Sequence, residues 1–377
     1  MTLVYFILGL SILIFIHEMG HFVTAKLFHV YVYEFSLFMG PLLYQKKVGE
    51  TRYSIRALPI GGYVSMAGEN DQQQARNEEE LATEDETPPI PMERTLNGIQ
   101  PWKKFLVLFS GAALNLVLSF VFLVIAFLGN GVVEASSRIR VVEDSLFAQA
   151  DIRSDDVITA LRLSSEESFT LVESFDEVSQ YIATINLASG LMVGSTQCLD
   201  LVIERDGETQ PTKQVCRTLT EYEVEIQNEQ RVLTKIAPIY GFSQTSRMVG
   251  FGEALAISAQ TEWQMGGLIF NALGSLFQPG GLENVSGPVG MYEAAADFAA
   301  AGFYSFIFYL AMISVNLGII NLLPFPALDG GRLFVIAIEG ITRKKVSPKV
   351  EGFINSIGFL VLIGFIIVIT IKDIFFA

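Results

Sequence analysis

MTLVYFILGLSILIFIHEMGHFVTAKL, residues 1–27, sets an apolar run without a charged side chain, residues 1–16, directly against His17-Glu18-Met19-Gly20-His21. A helix needs roughly 20 apolar residues to cross about 30 Å of hydrocarbon, so the run takes in the motif to complete a span. The motif therefore falls near the end of a membrane helix. Positions i and i+4 share a helix face, so both imidazoles can reach one metal ion while Glu18 reaches water beside it. Solvated polar residues at the membrane edge are the alternative. Against it, an ionisable side chain in a span costs about 2.5–3.5 kcal/mol on insertion scales and usually marks function. The chain has three histidines, and the third, His29, lies past Lys26 and reads as an interfacial residue.

The rest of the composition agrees with lipid as the solvent. Of 377 residues 51% are hydrophobic and 17% charged, against about 25% charged in globular domains. Residues 105–133, 298–328 and 353–371 are also free of charge. The predicted fold is a polytopic α-helical membrane protein with four transmembrane helices, in residues 1–30, 103–133, 298–335 and 353–372. The first lacks a basic leader and a small-residue cleavage site, so it is read as a permanent span. A net charge of −15 excludes nucleic acid as a partner. Lys26, Lys103, Lys104, Arg343, Lys344, Lys345 and Lys349 flank the spans on one side. The preference of basic loops for the cytoplasm then puts both termini outside and both ends of the chemistry near the cytoplasmic face.

Between the spans, residues 31–37 and 43–66 are rich in β-branched and aromatic side chains, with turn signals at Gly49-Glu50 and at 59–62. They predict a membrane-associated, reentrant β segment over 31–66 that protein must shield. Residues 69–93 hold nine acidic residues and one arginine, and 67–102 is expected to be a flexible cytoplasmic loop. Residues 134–240 suit a small α/β domain outside, with strands near 138–142, 157–161, 199–205 and 213–219 and Phe175, Val178, Ile182 and Ile185 on one helix face. Residues 241–297 read as an amphipathic interfacial segment with Trp263 at the headgroups. Cys198 and Cys216 flank a turn at Asp206-Gly207 on the outer side, where disulfides persist, and are expected to pair. Gln210 and Pro211 leave the register open, so two buried free thiols stand as the alternative.

Two histidines do not complete a catalytic zinc site, which takes three protein donors and an open position. Asp329 is the candidate third donor: it ends the charge-free run, follows the helix breakers Pro324 and Pro326, and lies at the matching depth. A turn or cap before Gly330-Gly331 is the alternative. Asn321 and the Pro324-Phe325-Pro326 break could present backbone or amide groups to a substrate strand, and Asn115 is a second polar residue deep in a span. Each of the two asparagines has a packing hydrogen bond as its alternative.

His17-Glu-Met-Gly-His21, Pro59-Ile-Gly-Gly-Tyr-Val64, Ser286-Gly-Pro-Val-Gly290 and Asn321-Leu-Leu-Pro-Phe-Pro-Ala-Leu-Asp-Gly330 together resemble the site-2 protease family of intramembrane zinc metalloproteases. The likeness covers nearly the whole chain and is strongest to the bacterial regulator-of-sigma-E and RasP-like branch, with a single PDZ domain at 134–240. It implies Zn2+ on His17, His21 and Asp329, catalysis by Glu18, and substrate handling by Asn321, Pro324 and Pro326. It further implies a bacterial inner (plasma) membrane and substrates such as anti-sigma factors or remnant signal peptides, cut within their transmembrane segments. Asp151 and Asp155 stand where the family's PDZ domain has glycines, and Ala112 where its second span has proline. Two readings from another class compete: an inactive scaffold working through its PDZ-like domain, and a metal transporter. Four intact chemical residues oppose the first, and the lack of paired broken helices in matching halves opposes the second.

Overall fold

Length and apolarity alone qualify four helices as membrane spans: Thr2–Leu27, Pro101–Asn130, Phe303–Leu322 and Val350–Phe375. This is a membrane protein of mixed helix and sheet. The computed structural model describes residues 2–69, 90–134, 136–188, 194–227, 230–237, 240–276, 278, 281, 285–344 and 346–375. Residues 70–89 of the predicted acidic loop lie outside these. Two compact units are formed, one from Met1–Gly129 with Gly250–Ala377 and one from Asn130–Val249.

In the first unit, α1 (Thr2–Leu27) ends on a left-handed residue, His29, with φ 62°. The Val30 N–H returns to the Ala25 carbonyl at 2.9 Å, closing the helix as a left-handed C-terminal cap. The chain then enters β1 (Val32–Val48) and β2 (Thr51–Met66), joined at Gly49 with φ 63°. These are not one flat hairpin. Residues 34–37 pair with 52–55 on one side and with 62–65 on the other, while 42–48 pair with 51–56. Left-handed Phe38, Gly40 and Gly61 provide the bends. The predicted pair of hairpins is thus one folded ribbon, and its outer segment 62–66 runs beside α1.

The remaining part of the predicted flexible loop that is described, residues 90–100, is docked rather than loose. Leu96 is buried, its N–H donates to the Ala67 carbonyl at 2.7 Å, and Arg94 pairs with Glu50 at 2.6 Å. An apolar core of Ala25, Val32, Phe35, Val64, Leu108 and Leu333 joins α1, the ribbon and the neighbouring helices.

The second span is α2 (Pro101–Asn130). In the second unit, β3 (Val132–Val133), β4 (Ile139–Val141), α3 (Leu146–Gln149), β5 (Val157–Leu163) and β6 (Thr170–Leu171) lead to α4 (Phe175–Ala188). β7 (Thr196–Arg205), β8 (Glu208–Thr209) and β9 (Lys213–Thr218) complete a five-stranded sheet of order β6-β5-β7-β8, with β9 also on β7. Val178, Ile182 and Ile185 of α4 join Ile158, Leu199, Leu201 and Ile203 in one core. A further hairpin, β10 (Glu221–Gln227) with β11 (Gln230–Ala237), precedes β12 (Phe242–Gln244) and β13 (Ser246–Arg247), which pair with β4 and β3. The unit therefore extends to Val249, past the 240 boundary expected from composition. Asp151 and Asp155 adopt φ of 58° and 76°, the left-handed conformation that aspartate tolerates better than most residues.

Asp206 and Gly207 turn with φ of 52° and 81°, the two positive values of a type I′ hairpin. Glu204 pairs with Thr209, but one extra residue enters before Lys213, so that Cys198 faces Cys216. The two cysteines are bonded, and among the described residues no cysteine is free.

Back in the first unit, α5 (Phe251–Ser275), in the segment read as amphipathic and interfacial, packs along α2 and the third span: Glu262 accepts a hydrogen bond from Ser119, a fully buried residue of α2, and Gly266 lies against Ile319. Trp263 remains exposed. The charge-free run 298–328 likewise resolves into the end of α6 (Pro288–Ala300), then α7 (Phe303–Leu322), then a break. Gly302, with φ 120°, starts the span, and Pro324 and Pro326 stop it, so the single helix expected over 298–335 is divided. Helices α8 (Asp329–Thr342) and α9 (Pro348–Phe375) follow.

The Cys198–Cys216 bridge spans a sequence separation of 18 and in the chain-entropy model stabilises its unit by about 3 kcal/mol. Mass spectrometry of non-reduced, alkylated protein is expected to find neither thiol modified, and reduction is expected to lower the unit's unfolding midpoint in urea. Two alkylated thiols would contradict the pairing.

Candidate active site

Helical geometry alone puts His17 and His21 on one face of α1, one turn apart. Both are buried, and their Nε2 atoms lie 3.2 Å apart. Asp329, the first residue of α8, brings Oδ2 to 3.1 Å from Nε2 of His17 and 3.3 Å from Nε2 of His21. It gets there because the break after α7 turns the chain: Leu328 N–H donates to the Phe325 carbonyl at 3.2 Å, and Ala327 takes φ 75°. Gly330 and Gly331 press on the backbone of residues 322–323 and 325–326, leaving no room for a side chain. Gly358 of α9 makes the same allowance for Pro326.

One nitrogen from each histidine and one carboxylate oxygen lie within 4.8 Å of one another. Nδ1 of His21 is 2.8 Å from the Val107 carbonyl, which can only accept, so this nitrogen carries the proton and Nε2 keeps its lone pair. Two imidazole nitrogens and a carboxylate oxygen, with a fourth position open, form the donor set of a catalytic zinc site. Space for an ion is kept by Gly111 of α2, where a Cβ would overlap Nε2 of His21 and come within 2.9 Å of Nε2 of His17. The residues present therefore fit zinc.

Glu18 lies between the two histidines in sequence and turns toward the ribbon. The Val64 N–H donates to its carboxylate, and a Cβ at Gly62 would stand 3.7 Å from its Cγ. The motif Pro59 to Val64 is thus placed as a rail along α1, with Pro59 at the Ser11 hydroxyl, 3.3 Å.

Asn321 sits in the last turn of α7, and among the described residues its side chain makes no hydrogen bond. Pro324 is exposed and Pro326 packs on Gly358. These three are not brought into contact with the His-Asp cluster. Two contacts escape a reading of the sequence. Asn115 presents its amide nitrogen to Nδ1 of His17 at 3.3 Å, and Arg332 pairs with Glu69 at 2.5 Å, tying the first turn of α8 to the end of the ribbon. The only signals were a lone asparagine in an apolar span and a basic residue three places after Asp329 on the same helix face.

The profile of peptidase family M50 matches residues 5–365. The zinc metalloprotease RasP of Shouchella clausii is 31% identical over 99% of this chain and 98% of its own. RasP of Oceanobacillus iheyensis is 29% identical, with the same two shares. With four membrane-length helices and a donor set fitting zinc, the chain belongs to peptidase family M50, the site-2 protease family, and is a zinc metalloprotease.

Proposed function

We propose that this metalloprotease hydrolyses peptide bonds within transmembrane segments of membrane proteins, with zinc on His17, His21 and Asp329 and Glu18 as general base. The observation carrying the reading is the convergence of the three donors at the ends of apolar spans, with Glu18 on the same helix turn. Zinc supplies Lewis acidity there, polarising a carbonyl and making water nucleophilic near neutral pH. Glu18 takes the proton of the attacking water and delivers it to the leaving amine. Its hydrogen bond from the Val64 N–H limits the carboxylate's freedom to swing away. Asn321 and the Pro324-Phe325-Pro326 break receive the substrate backbone, a role supported by their position one short segment before Asp329.

The basic residues Lys26, Lys103, Lys104, Arg343 and Lys344 support an active site toward the cytoplasm and both termini outside, in a bacterial plasma membrane. The unit 130–249 is then extracytoplasmic, and we read it as PDZ-like. Left-handed Asp151 and Asp155 support this, since they supply the backbone that glycine supplies in that fold. Anti-sigma factors and remnant signal peptides are the substrate classes.

Glu18→Gln keeps the shape but cannot accept a proton, so cleavage of a transmembrane peptide is expected to fall roughly 100- to 10,000-fold with zinc content unchanged. Full activity in that variant would end the mechanism. His17→Ala, His21→Ala and Asp329→Ala are each expected to lower zinc content by metal analysis, because each removes one of three donors. Stoichiometric zinc in Asp329→Ala would send the third position elsewhere. Gly111→Val, whose side chain enters the space facing both Nε2 atoms, is expected to lose zinc while leaving all donors in the chain.

A further inference from the structure

Asn115 is fully buried in α2, and its Oδ1 has no hydrogen-bond partner among the described residues while its Nδ2 stands 3.3 Å from Nδ1 of His17. An orphaned acceptor at such depth is expensive and asks for a reason. A neutral imidazole carries its proton on one nitrogen and a lone pair on the other. Nε2 of His17 faces Asp329 and His21 at 3.1 and 3.2 Å, so ligation through it places the proton on Nδ1. A buried Nδ1–H needs an acceptor. His21 has the Val107 carbonyl for this purpose; at Nδ1 of His17, among the described residues, stands Asn115 alone. A half-turn of the amide brings Oδ1 to that nitrogen.

We infer that Asn115 is a positioning residue that holds the His17 imidazole in place as a ligand by partnering its Nδ1 in either tautomer. Its Oδ1 accepts from Nδ1–H when the Nε2 lone pair is given to the ion, and its Nδ2 donates to Nδ1 when the proton lies on Nε2. An amide serves both tautomers, whereas a carboxylate serves only the first. The site of the amide is fixed from behind: the Ser314 hydroxyl of α7 donates to the Asn115 backbone carbonyl at 2.7 Å, and both residues are fully buried. The inference rests on the assignment of His17 as a ligand.

The test is zinc retention by the purified full-length protein, measured by metal analysis after dialysis against graded chelator. Asn115→Leu, with no acceptor, is expected to release zinc at a chelator concentration roughly 10- to 100-fold below that for the wild type. Asn115→Asp, which only accepts, is expected to hold zinc at least as well as the wild type. Equal loss in both variants would assign Asn115 to helix packing and overturn the inference, as would wild-type retention in Asn115→Leu. His17→Ala is the control that separates the two layers: zinc kept at wild-type strength there would overturn the ligand assignment itself, and the inference with it.

Discussion

The close crossing of α1 and α2 is the constraint on which the site depends. Gly20 lies against the backbone of Ser110 and Gly111, where a Cβ would come within 2.5 Å of the Ser110 carbonyl oxygen. Thr24 and Ser110 share a hydrogen bond of 2.8 Å across the same contact. In lipid, where apolar side chains gain nothing by leaving their surroundings, helices associate through such packing and polar contacts. Here the near approach does more than join helices. It brings the Val107 carbonyl and the Asn115 amide within reach of the two imidazoles, so the second helix adds nothing to the cluster of His17, His21 and Asp329 but gives each imidazole of the first a hydrogen-bond partner.

The third donor arrives by a different physical route. A membrane helix that continued through Asp329 would keep its carboxylate on the course of α7. Pro324 and Pro326 end that helix, and glycines at 330, 331 and 358 let the broken segment fold tightly against its own chain and against α9. Asp329 thereby starts a new helix, with the positive end of the helix dipole beneath a carboxylate already drawn to two imidazoles. Arg332 and Glu69 anchor this helix to the ribbon whose outer segment also holds Glu18.

What the sequence could convey follows from which forces are local. Spans are legible because hydrocarbon demands long charge-free runs, and the metal motifs because helical spacing fixes which side chains share a face. The run 298–328 read as one span since Gly302, with its left-handed backbone, is silent in a hydropathy profile. The ribbon's doubled pairing is set by bends at Phe38, Gly40 and Gly61, of which only the last fell within a recognised turn signal. The hairpin at 221–237 carries a strand period, with Glu221, Glu223 and Glu225 alternating with Tyr222, Val224 and Ile226. The partner of His17 was beyond reach for a simpler reason: Asn115 is 98 residues away, and no spacing rule joins them.

That distance in sequence is larger still for the carboxylate. His17 and Asp329 meet across 312 residues. A chain is made from its N-terminus, and its membrane helices enter in that order. The histidine pair is therefore made before the second unit and the third span, while Asp329 is added only after both. A nascent or truncated chain carries the recognisable half of a hydrolytic centre without the means to close it.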